Sequence, residues 1–231
     1  HEPWFNTTIN DGLNREIEWH YWKYYVDYLK QKKNPIPEKV LLELDNVTSQ
    51  VLSKLEDPDR EGAWDRRGLV MGSVQSGKTG NYTGLVAKAI DCGYKFIVIL
   101  TGTHNSLRSQ TQVRLNQELL GYNLEKMQHI SAGASYRVGV GKRFSLHRGH
   151  REKKKNTTSS EKGDFKKKQA SSVNPILDGI NVLIIKKNTS ILKNLNEWIG
   201  VYASADGGKV KDIPLLIIDD ECDQASVNTK K

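Results

Sequence analysis

The chain has only two cysteines among its 231 residues, and Cys92 and Cys222 lie far apart and outside any Cys-x-x-Cys or Cys/His spacing. That excludes a disulfide scaffold and a cysteine-based zinc site, and makes a reducing compartment, the cytoplasm, the expected location. Long apolar runs are missing as well. The longest, Phe96 to Leu100, Val182 to Ile185 and Leu215 to Ile218, are strand-sized, whereas a membrane helix needs roughly 18 apolar residues. No membrane association is therefore expected, and no secretory signal is expected from an opening that lacks an apolar core segment. There is no NKxD string to read guanine, no strand-borne D…ExK, no HKD pair and no His cluster of metal type. A GTP switch is thus disfavoured, and a nuclease centre is not visible in these residues.

Positive charge is in excess, +8 overall, but its position matters more than its total. Between Arg148 and Ser172 nine Lys or Arg face three acids, a net +6. The remainder is close to neutral, so the high pI reports one polar, lysine-rich stretch with too few apolar residues to build a core.

What the chain does contain is a change of texture near residue 63. From Asn14 to Lys33, Ile17, Tyr21, Trp22, Tyr25, Val26, Tyr28 and Leu29 recur at three and four, the stripe of an amphipathic helix. Asn34-Pro35-Ile36-Pro37 breaks it, and Pro37 opens a second helix carrying Val40, Leu41, Leu44, Val47, Val51, Leu52 and Leu55, ended by Pro58. Residues 1–62 read as a helical appendage. Residues 63–231 read as strands alternating with helices. A short strand Gly68 to Met71 leads through a Gly-rich turn to a helix from Thr79 to Asp91 closed by Gly93. Strand Lys95 to Thr101 and a helix from Ser106 to Leu120 follow, the latter with Leu107, Val113, Leu115 and Leu119 as its apolar positions. After an irregular, basic insertion at about 140–175, expected to be mobile in part, come strand Asn181 to Ile185, helix Ser190 to Ile199 and strand Leu215 to Asp219. Continuous Val/Ile/Leu strands alternating with helices predict an α/β fold with a mostly parallel sheet, buried on both faces.

Gly72-Ser73-Val74-Gln75-Ser76-Gly77-Lys78-Thr79 matches GxxxxGK followed by Ser or Thr in full, between a short apolar run and a helix, and Gly80 follows it. Small residues let backbone N–H groups curl around a phosphate at a helix N-terminus. Lys78 reaches the β and γ phosphates, and the Thr79 hydroxyl ligates magnesium. ATP and Mg²⁺ are the expected cofactors. The matching acids stand at the end of the last strand, in Asp219-Asp220-Glu221-Cys222-Asp223. Asp219 and Asp220, or Asp220 and Glu221, can serve as the metal acid and the acid that orients water. We prefer Asp220 for magnesium and Glu221 for water, which gives Asp220 to Asp223 a D-E-x-D form. Lys78, Asp220 and Glu221 are the expected catalytic set, with Thr79, Asp220 and Asp219 as metal candidates.

These motifs resemble the first motor domain of a superfamily 2 helicase or translocase. Thr103-His104-Asn105-Ser106-Leu107-Arg108-Ser109-Gln110 follows the second strand where that superfamily carries PTxxLxxQ; Leu107 and Gln110 fit, and the leading pair departs. Ile185 to Leu192 holds the position, though not the letters, of the superfamily's TPGRL element. More closely, the run Arg67 to Thr79, with Gly93-Tyr94-Lys95, Leu107 to Gln112, Lys186-Lys187-Asn188 and Asp219-Asp220-Glu221, resembles the Z1 domain family over about Trp64 to Ser226 outside the insertion. That bacterial family is associated with helicase regions and endonucleases among restriction and phage-defence genes. The resemblance implies a RecA-like P-loop ATPase fold and ATP-dependent action on DNA, with a nuclease or methyltransferase of the same system as a possible partner. It also implies that this chain is an N-terminal fragment, because the acidic motif falls near its end, before a second motor domain. Such a fragment would bind nucleotide but turn it over weakly.

On this reading DNA backbone contacts come from loops at the carboxyl ends of the strands: Thr103, His104, Arg108, Arg114, Lys186, Lys187 and Asn188. Each has an ordinary alternative as a solvated or capping residue. The lysine-rich insertion is either an electrostatic arm or a solubilising loop. Trp64, Arg66 or Arg67 are positioned to meet adenine. Two other functions compete with the motor: a nucleotide-gated DNA-binding scaffold that recruits a nuclease, and a small-molecule P-loop kinase.

Overall fold

A computed structural model describes residues 4–5, 17–71, 78–122, 137–143, 155–156, 164–165, 180–203, 213–220 and 222. The chain divides into two compact units, His1–Tyr94 and Lys95–Lys231.

In the first unit, helices α1 (Tyr21–Gln31), α2 (Glu38–Lys54) and α3 (Lys78–Cys92) pack together. Of the periodic stripes, Tyr21, Tyr25 and Leu29 on α1 and Leu41, Leu44 and Leu52 on α2 are buried, whereas Val40, expected on the α2 stripe, is 48% exposed. Pro37 stands at the N-cap of α2, where its missing N–H costs nothing. Gly93, at φ +113°, ends α3 in a backbone conformation that other residues rarely adopt. Three features bind α3 to its neighbours. The Asp91 carboxylate accepts the Tyr21 and Trp22 N–H groups at 3.0 and 2.9 Å, capping α1 from α3. Buried Lys88 donates to the Asp45 carbonyl at 2.9 Å and to Ser49 Oγ at 2.6 Å, also pairs with the Asp45 carboxylate, and lies 4.3 Å from the Trp22 ring centroid. Gly84 gives the room: a Cβ there would meet Thr48 and Trp22 side-chain atoms at 3.1 Å.

The run Gly68 to Met71 does not form the expected strand; it is unpaired coil, with Leu69, Val70 and Met71 from 63% to 86% exposed. Apolar letters alone do not make a strand without an edge to pair with.

The second unit is α/β, with a parallel sheet flanked by helices. Strands β1 (Phe96–Thr101), β2 (Lys155–Asn156), β3 (Asn181–Lys186) and β4 (Leu215–Asp219) lie in the order β2-β3-β1-β4, all parallel. Helix α4 (Asn105–Leu115) and a π-helical turn (Asn116–Leu120) follow β1. The short helix α5 (Val140–Arg143) comes next, and α6 (Thr189–Ala203) joins β3 to β4. The chain crosses from β1 to β2 in one direction and returns through β3 to β4 in the other. Right-handed crossovers then put α4 on one face and α6 on the opposite one. Phe165, Leu195 and Trp198 accordingly pack with Phe96, Val98, Leu183 and Ile185 on one face. Ile97, Ile99, Val182 and Ile184 alternate onto the other, and α4 packs on β1 and β3. Each of these apolar side chains contributes about 1.5–3 kcal/mol on burial.

One expectation is corrected here: β4 is not buried on both faces, since Leu215 is 39% and Ile217 55% exposed. Within the basic insertion, Lys155–Asn156 pairs with β3 and Phe165 enters the core.

Candidate nucleotide and nucleic-acid site

Helix α3 starts at Lys78, so Lys78 and Thr79 fall in its first turn, as a phosphate loop requires. Gly72 to Gly77 lie outside the described residues, as do the side chains of Lys78 and Thr79. The carbonyl of Gly80, next along that turn, accepts the Tyr25 hydroxyl of α1 at 3.2 Å. Of the three residues expected near adenine, Trp64 meets Tyr94 edge-on with centroids 6.2 Å apart. Arg66 is engaged by Glu56 at 2.8 Å, and exposed Arg67 by Asp65, also at 2.8 Å. Arg60 and Arg66 together hold the Glu56 carboxyl below the ordinary carboxylate range.

β4 ends at Asp219, and the Asp220 N–H donates to the Leu100 carbonyl at 2.9 Å, fixing the turn after β4 against β1. Glu221 and Asp223 lie outside the described residues. Across the same carboxyl edge, the Lys187 N–H donates to the Thr101 carbonyl at 3.2 Å, and the Thr101 hydroxyl donates to the Ile185 carbonyl at 3.2 Å. Parallel pairing in register thus delivers the ends of β1, β3 and β4 to one rim, where open α/β sheets carry their ligands.

The residues expected to contact nucleic acid share this region but not one fate. Thr103 and His104 are exposed after β1, with His104 at the N-cap of α4. Asn188 caps α6, its Oδ1 accepting the Ser190 N–H at 3.0 Å, so its side chain has a structural role. Arg114 pairs with Glu118 one turn on, at 3.1 Å. Lys187 Nζ lies 2.6 Å from Asp219 Oδ1, joining the basic loop to the acidic strand.

Arg108 corrects the expectation most sharply, because it is 0% exposed and so on no solvated helix face. The buried side of α4 is largely polar, comprising Arg108, Ser109, Gln112 and Leu115, whereas the expected apolar position Val113 is 40% exposed. Facing Arg108 is Asp164, one of the three acids of the basic insertion. Its Oδ2 lies 3.9 Å from Arg108 Nε and 4.0 Å from Lys186 Nζ. Desolvation raises the Asp164 carboxyl above its ordinary range, opposed by the Phe165 N–H and by Arg108. The available signal was its neighbour, a lone phenylalanine in a polar run.

Among the described residues no group of three or more His, Cys, Asp or Glu could hold a metal by itself. No described helix is long and apolar enough to cross a membrane, and both cysteines are free thiols. No protein-family model, curated protein or solved structure matches the chain.

Proposed function

We propose that this chain is a nucleotide-binding domain of the superfamily 2 helicase type, with a RecA-like fold, that hydrolyses ATP and acts on DNA as part of a restriction or phage-defence system. The observation that carries the reading is the complete Gly72 to Thr79 phosphate-loop string, whose last two residues open the 15-residue helix α3. Supporting it are the acids Asp219 and Asp220 at the end of the parallel strand β4, and the basic residues Lys186 and Lys187 at the end of β3.

In this reading the backbone of Gly72 to Gly77 and the Lys78 ammonium hold the phosphates. Thr79 and Asp220 would hold magnesium, which supplies charge neutralisation at the transferring phosphate. Glu221 orients the attacking water. Asp219 is the less available metal ligand, because Lys187 engages its carboxylate. Calorimetric titration of ATP and Mg²⁺ into the wild-type chain and Lys78→Ala tests the proposal. Saturable binding lost in the variant is expected, and a folded wild type that binds no nucleotide overturns it. DNA-stimulated turnover then separates a motor from a nucleotide-gated scaffold.

A further inference from the structure

We infer that Tyr25 of α1 is a positioning residue of the nucleotide site, which holds the first turn of α3, and with it Lys78 and Thr79, in the conformation that grips phosphate. The inference rests on the nucleotide-binding part of the reading above. Tyr25 itself lies outside the phosphate-loop string and outside the residues that carry the resemblance. Three observations support the assignment.

First, the Tyr25 hydroxyl, on a side chain 1% exposed, donates to the Gly80 carbonyl at 3.2 Å, one residue past Thr79. In an α-helix that carbonyl is also the acceptor for the N–H four residues on, here that of Gly84. Second, the Tyr25 ring passes over Gly84. A Cβ at Gly84 would lie 3.5 Å from Tyr25 Cε1 and 3.1 Å from side-chain atoms of Trp22 and Thr48, so the turn from Gly80 to Gly84 is a notch in α3 that α1 and α2 fill. Third, α1 is tied to the same helix at its start, where the Asp91 carboxylate accepts the Tyr21 and Trp22 N–H groups at 3.0 and 2.9 Å. Helix α1 thus begins beside the last turn of α3 and runs back toward its first, and Tyr25 reaches Gly80 from an anchored base.

The first turn of α3 needs such support. Its N–H groups have no partner within the helix, and Thr79, Gly80 and Asn81 are all weak helix formers. Backbone N–H groups at a helix N-terminus favour a phosphate when they point at it together, and a turn ordered before the ligand arrives spares the ligand the entropic cost of ordering it.

Calorimetric titration of ATP and Mg²⁺ into the wild-type chain, Tyr25→Phe and Thr48→Val, with urea unfolding of each, tests this. Tyr25→Phe removes the hydroxyl and keeps the ring. It is expected to weaken ATP affinity about 3- to 10-fold, the scale of one hydrogen bond. Thr48→Val deletes a buried hydroxyl bonded to the Leu44 carbonyl within α2, and is expected to lower stability while leaving ATP affinity unchanged. A folded Tyr25→Phe that loses stability but binds ATP as the wild type does would make the contact ordinary core packing and overturn the inference. So would an equal loss of affinity in Thr48→Val, which would trace both effects to general destabilisation. If Tyr25→Phe does not fold, hydrogen exchange of the wild type decides: saturating ATP and Mg²⁺ should slow the amides of α1 more than those of α2, and equal slowing of the two helices overturns the inference. ATP binding that is lost in Lys78→Ala but intact in Tyr25→Phe leaves the nucleotide reading standing without this inference, whereas a wild type that binds no ATP removes both.

Discussion

Lys187 Nζ lies 2.6 Å from Asp219 Oδ1, so the loop after β3 and the last residue of β4 are joined at the rim although β1 separates their strands. Lys187 is largely enclosed and Asp219 is 41% exposed, so the pair is screened on one side. A double-mutant cycle with Lys187→Met and Asp219→Asn should give a coupling of about 0.5–1 kcal/mol in urea unfolding. The pair also bears on which acid serves the metal. Asp220→Asn should abolish magnesium-dependent ATP affinity while Asp219→Asn only weakens it. Equal losses from the two would return the assignment to the open choice the sequence leaves.

Glu221→Gln separates binding from chemistry. If Glu221 orients the water, the amide should leave ATP affinity within a few-fold and lower turnover by about 10²-fold or more. A parallel fall in affinity would instead assign Glu221 to the metal.

The elements that sequence periodicity locates are those whose buried faces are apolar. β1, β3 and β4 match their Val/Ile/Leu runs almost residue for residue, and α1 and α2 bury the centre of the stripes expected of them while Val40 stays exposed. Periodicity does not see polar burial. α4 turns Arg108, Ser109 and Gln112 inward, with Gln112 donating to Asn116 at 3.1 Å, and α3 buries Lys88 among Asp45, Ser49 and Trp22. Each of these is set by a partner distant in sequence, Asp164 for Arg108 and Asp45 for Lys88, and no local pattern encodes that pairing. The candidate site divides the same way. The phosphate-loop string and the acids are contiguous and readable, whereas Asp164, which faces Arg108, comes from an insertion whose composition suggests only an electrostatic arm or a solubilising loop.

The buried Lys88 makes an asymmetric prediction about the helical unit. Asp45 is about half exposed, so removing Lys88 leaves a carboxylate that water can reach, while removing Asp45 leaves an enclosed ammonium short of its counter-charge. Lys88→Met, close in volume and able to rest on Trp22, should cost under about 1.5 kcal/mol. Asp45→Ala should cost about 3 kcal/mol or more, since burial already lowers the affinity of Lys88 for its proton. Urea denaturation of the two variants checks the order; a larger loss for Lys88→Met would mean that packing, not charge, dominates.

Asp91 predicts a pH dependence. Burial pushes its carboxyl up to about 6, opposed by the Trp22, Tyr21 and His20 N–H groups and by the His20 side chain. A carboxyl whose folded pKa lies above its unfolded value of 3.8 binds its proton more tightly in the folded state. Its contribution is therefore fully present below about pH 3.8 and is lost as pH rises through 6. The two-unit window corresponds to a loss on the order of 2–3 kcal/mol. Opposing slopes come from carboxylates such as Glu56, held below the ordinary range by Arg60 and Arg66, whose contribution instead grows with pH across its lower window. Asp91→Asn isolates the first effect, because it removes the titration and keeps an oxygen to accept one of the two N–H groups that start α1. Subtracting the variant's stability from the wild type's between pH 4 and 7 should leave a curve that falls with pH and flattens above about 6.5. A difference curve that rises would mean that the two N–H bonds outweigh desolvation, and that the ionised carboxylate is the form that holds α1 to α3.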